Sequence, residues 1–143
     1  MRVIVGAATA VGLGITSYFW VGAQAETTPA ESGDEETTAI VTITVPDTLS
    51  PNAEIGKMAY EAKCSACHAE NGVGQIDVAP PLVHIIYEPS HHSDESFQRA
   101  VALGVRGHHW PFGDMPPVEG LTRGNVAMII AYIRELQVAN GID

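Results

Sequence analysis

Two thiols and an imidazole lie within five consecutive residues, Cys64-Ser65-Ala66-Cys67-His68, and these are the only cysteines in the 143-residue chain. On a helical turn, positions i, i+3 and i+4 face one side, so the three side chains converge on one object. The pattern Cys-x-x-Cys-His is the attachment signal for a c-type haem. Its two thiols add to the haem vinyl groups as thioethers, and His68 then lies over the iron as the proximal ligand. A dithiol redox site and half of a zinc site are the competing readings. The first wants a βαβ setting that this sequence lacks, and the second needs two further soft ligands. The motif therefore points to one covalent haem c.

The elements around the motif read as helices joined by long irregular connections. Ser50 is placed to cap a first helix, with Pro51 at its first position, running to about residue 68. Ser93 opens a second, with Asp94 and Glu95 suited to its first turn, and Gly104 ends it. Thr122 caps a third, in which Val126, Ile129, Ile130 and Ile133 keep the spacing of a buried face up to Gly141. The connections 69–92 and 105–121 hold six of the nine prolines. Three helices of this length cannot enclose a large core, so the loops must wrap around a cofactor. The expected fold is all-α: three main helices and long loops around one haem.

At this point residues 51–140 resemble the class I, mitochondrial-type c-type cytochromes. Gly56, Tyr60 and Cys64 resemble the glycine–aromatic–cysteine steps of that family's first helix, where the glycine lets an aromatic of the last helix cross closely; Tyr132 is the matching position. Pro80-Pro81-Leu82 resembles the Pro-x-Leu segment, whose proline carbonyl accepts the second N–H of the proximal histidine. By that resemblance Pro80 orients His68, and Tyr60 and Leu82 join the haem surroundings. Asp114-Met115-Pro116-Pro117 resembles the methionine loop, which makes Met115 the distal iron ligand.

Of the other methionines, Met58 and Met128 fall on helices and are expected in the core. A histidine from His84, His108 or His109 is the alternative sixth ligand, and an open position the other. With histidine and thioether both bound, the iron is closed to substrates and suited to one-electron exchange. The expected function is therefore an electron carrier rather than an enzyme. The alternative is a haem c enzyme or sensor with a displaceable sixth ligand.

Five histidines fall on the two loops: His84, His91, His92, His108 and His109. They are expected to pack the loops, with Arg106 and Trp110 as candidate donors to the haem propionates. The sharper reading is a second copper or zinc site. Adjacent side chains diverge, so one histidine from each pair would have to meet.

Lys plus Arg number 7 against 17 Asp plus Glu, a net charge of −10, which removes nucleic acid as a partner. The acidic balance suits redox protein partners with a basic patch. Residues 3–25 carry no charge, and Ala23-Gln24-Ala25 fits a cleavage site for a signal peptide. The same stretch is long enough for a signal-anchor, with Tyr18, Phe19 and Trp20 at the outer interface and Arg2 inside; the aromatic run favours the anchor. Residues 26–50 follow as an acidic linker, within which Ala39 to Val45 could form a strap on the 51–143 domain. Both readings place the domain on the periplasmic side of a bacterial inner membrane. Intact-mass measurement on washed membranes should find residues 1–25 retained; a soluble chain beginning at Glu26 would refute the anchor.

Overall fold

The computed structural model describes residues 38–143; the expected signal or anchor at 1–25 and the linker up to residue 37 lie outside the described residues. Four α-helices occur among them: α1 (Pro51–Lys63), α2 (Ser65–His68), α3 (Asp94–Leu103) and α4 (Arg123–Ala139), with single 3-10 turns at Glu70–Gly72 and Ile85–Tyr87. No strand forms among the described residues; there are only isolated bridges, Ala39 with Gln75, Gln75 with Ala79 and Val105 with Met115. The fold is all-α, as expected. One boundary differs. The first helix stops at Lys63, and the haem motif takes its own turn, because the Ser65 hydroxyl donates to the Glu61 carbonyl (2.7 Å) and competes with the next backbone amide for it.

The helix starts follow their caps. The Ser50 hydroxyl accepts from Ala53 N and donates to the Glu135 carboxylate, which ties the start of α1 to α4. Thr122 and Asn125 form a reciprocal capping box at the start of α4. Ser93 precedes α3 without a side-chain cap; its carbonyl instead accepts from Ser96.

The core lies between α1 and α4. Ala53, Tyr60, Val83, Ile129, Tyr132, Ile133 and Leu136 form one buried cluster. Gly56 is where the helices touch: a methyl there would overlap the Met128 carbonyl, so backbone meets backbone. The glycine makes room for this carbonyl, while Tyr132 packs one turn further along, with its ring centroid 5.6 Å from that of Tyr60. Two polar residues of α4, one buried and one half-buried, face the 82–92 loop. Gln137, fully buried, donates to the Leu82 and Tyr87 carbonyls (2.8 and 3.1 Å). Arg134 donates to the Tyr87 and His92 carbonyls (2.7 and 2.6 Å) and pairs with Asp94.

Residues 38–49 run along the domain as the strap. Ile40 N and Val41 N both donate to the Val73 carbonyl (3.2 Å each), Ile76 N donates to Thr38, and the Asn140 amide exchanges two bonds with the Thr44 backbone. Ile43 and Leu49 pack on the core. Among the described residues no helix is long and apolar enough to cross a membrane.

The helix contact yields a test. Gly56→Ala should cost about 1–3 kcal/mol or more, since neither backbone can yield without opening the core. Gly124→Ala, whose new methyl would find only Thr122 Oγ1 at 3.6 Å, should be neutral or stabilising. Guanidinium denaturation of both variants checks the contrast.

Candidate functional site

Cys67 and His68 lie on the single turn α2, and Cys64 is the residue that caps it. Cys64 is half-buried, Cys67 exposed, and the His68 ring buried. After His68 the chain reverses sharply, with positive φ at Ala69, Asn71, Gly72 and Gly74. Gly74 is required there: a side chain would fall 2.5 Å from Pro81 N, and Gly74 N donates back to the His68 carbonyl. The reversal brings the Pro80 carbonyl to 2.8 Å from His68 Nδ1. A carbonyl only accepts, so Nδ1 carries the proton and Nε2 keeps its lone pair free for a metal. Burial holds the His68 pKa below the usual histidine range, against the opposing pull of the Pro80 bond. The neutral, ligating form is thereby favoured.

Burial, with a smaller contribution from Cys67, pushes the Cys64 thiol up to about 11. A dithiol redox centre requires the opposite shift, towards thiolate at neutral pH.

Met115 sits at the base of a loop closed by two backbone bonds with Val105, 2.9 Å in each direction. The Met115 carbonyl packs on Gly104, the residue that ends α3; a side chain at Gly104 would approach it to 2.5 Å. Gly107 N donates to the Asp114 carboxylate within the same loop. Trp110 stacks on Phe112, and its buried indole N–H, turned towards Tyr87, meets no group in full hydrogen-bond geometry among the described residues. Arg106 is exposed. Tyr60 is fully buried and donates to the Ala69 carbonyl (2.8 Å), at the reversal after His68. Leu82, half-buried, packs beside the core. Met58 is not in the core: it is 63% exposed, on the face of α1 turned from α4, and Met128 is half-buried with its carbonyl on Gly56.

The sequence profile of the cytochrome c family matches residues 53–137. The chain belongs to the cytochrome c family. It is also 27% identical over 113 residues to cytochrome c2 of Pararhodospirillum photometricum, covering 64% of this chain and 92% of that protein. No solved structure matches it significantly.

The residues present fit the covalent haem c of the family. This cytochrome supplies two reduced thiols and a neutral imidazole on one turn, and the orphaned Trp110 N–H is a buried donor of the kind a propionate needs. Cys64 and Cys67 would hold the haem by thioethers, with His68 as its ligand.

Sequence reasoning missed Arg134, Gln137 and Asn71. Asn71 accepts from the Tyr132 hydroxyl (2.7 Å) and, with the Tyr60–Ala69 bond, pins the reversal after His68. Gln137 lies four residues after Ile133 on the apolar stripe of α4. A polar side chain at such a position was the available signal.

The haem of this cytochrome should survive acid-acetone extraction. Cys64→Ala or Cys67→Ala should leave one thioether at most and lower the thermal midpoint; full release from the unaltered protein would overturn the attachment.

Proposed function

We propose that this haem electron-transfer protein is a periplasmic one-electron carrier, not an enzyme, with His68 and Met115 as its axial ligands. The observation that carries the reading is that both ligand positions are tied to backbone. The His68 ring is fixed by the Pro80 carbonyl, and Met115 is fixed by its paired bonds with Val105. Pro116 and Pro117 stiffen the chain beyond Met115 by fixing φ. The haem would supply one-electron exchange at iron, with the thioether favouring the ferrous state. The protein's part is to hold ligands that do not move between oxidation states, and so to keep rearrangement small.

The partners are redox proteins. From residue 51 onward the chain has six bases and eleven acids, a net charge of −5, which suits a basic docking patch and salt-sensitive encounter. Export across an inner membrane, with or without a retained anchor at 1–25, accords with the uncharged run 3–25 and with the oxidising side on which such proteins act.

Met115→Ala tests this reading. The potential should fall by on the order of 0.1 V or more, within the ~0.8 V range that axial ligands span. Carbon monoxide or cyanide binding should appear, while the covalent haem stays attached. Unchanged spectrum and potential would remove Met115 as ligand. Ready ligand binding by the unaltered protein would favour the enzyme or sensor reading.

A further inference from the structure

Four imidazoles gather where the loop before α3 meets the loop that carries Met115, and the electron-carrier reading makes no use of them. His91 and His92 come from the first loop, His108 and His109 from the second. The His91 and His109 Nε2 atoms stand 3.4 Å apart. The ligand atoms of His91, His92 and His109 all lie within 4.8 Å of one another.

We propose that His91, His92 and His109 form a second metal site, separate from the haem, for one divalent ion of the zinc or copper type. Nitrogens bound tetrahedrally to zinc at about 2.0–2.1 Å are necessarily about 3.3–3.4 Å apart. The His91–His109 pair already has that separation. His92 completes the set through Nε2, because its Nδ1–H donates to the Ile86 carbonyl (2.6 Å). Such a bond fixes the tautomer and ring plane of a metal-binding histidine. Three imidazoles and a water are a donor set that suits zinc or copper and disfavours calcium and magnesium.

Adjacent histidines converge here because they lie in a turn. His91 N and His92 N both donate to the Glu88 carbonyl (3.1 and 2.7 Å), and the His92 carbonyl accepts from Arg134. Their ring centroids are 4.7 Å apart. The Arg134 bond ties this half of the site to α4. His108, whose Nδ1 is engaged by the Arg106 carbonyl, stands beside His109 and outside the set. A bound ion would join the two loops and so brace the segment that carries Met115.

Calorimetric titration of tag-free, metal-stripped holoprotein with ZnCl2 tests the site. One ion should bind per chain, with a raised thermal midpoint. His91→Gln and His109→Gln should each weaken binding at least tenfold with the haem spectrum unchanged. His84→Gln, outside the cluster, should bind like the unaltered protein. No stoichiometric binding, binding that persists in the His91→Gln/His109→Gln double variant, or an equal loss in His84→Gln would overturn the proposal.

Discussion

The backbone contact of Gly56 with the Met128 carbonyl is the constraint on which the rest depends. It sets how closely α1 and α4 approach, and hence where Tyr60 and Tyr132 must lie one turn further along both helices. Each tyrosine then spends its hydroxyl on the reversal after the haem motif, Tyr60 on the Ala69 carbonyl and Tyr132 on the Asn71 amide oxygen. Burial drives both phenols well up from their ordinary pKa, so these hydroxyls remain donors at any physiological pH. A helix crossing thus fixes the direction in which the chain leaves His68, and with it the approach of Pro80.

The two proposed iron ligands are held by one device used twice. At each, a glycine that no other residue could replace lets backbone press on backbone: Gly74 against Pro81 beside His68, and Gly104 against the Met115 carbonyl. Loops are usually the mobile part of a fold. The loop after His68 is anchored to α4 through Arg134 and Gln137, whose polar groups stand in for packing where the core is thin, and the Met115 loop is tied to α3 by the bond from Val118 N to the Val101 carbonyl. Rigid ligand loops and a small core are two sides of one economy in a chain this short.

The caps and the attachment motif were legible because each is local: Ser50, Thr122 and the residues from Cys64 to His68 act within one turn of themselves. The apolar spacing of Val126, Ile129 and Ile133 likewise announced which face of α4 is buried. What escaped were pairings across the chain. Arg134 reads as an ordinary surface base until the 87–92 loop is seen to lie on it, and Gln137 as a lapse in the stripe. Met58 was misjudged because apolar character alone does not say which face of α1 meets α4; its neighbours Ala53, Gly56 and Tyr60, at steps of three and four, mark the other side. The break at Cys64 turned on one serine hydroxyl, a local signal, but one that competes with helix propensity and so shows only in the outcome.

The strap has a mechanical consequence. Its bonds to Ile76, Val73 and Asn140 are spaced out along residues 38–44, so a pull arriving from the N-terminal side loads them in succession rather than together. Thr38 is loaded first, then Ile40 and Val41, then Thr44, so the end of α4 at Asn140 takes load only after the bonds to Ile76 and Val73 have parted. Such a strip can peel from the domain one bond at a time and pair again, with the core between α1 and α4 undisturbed.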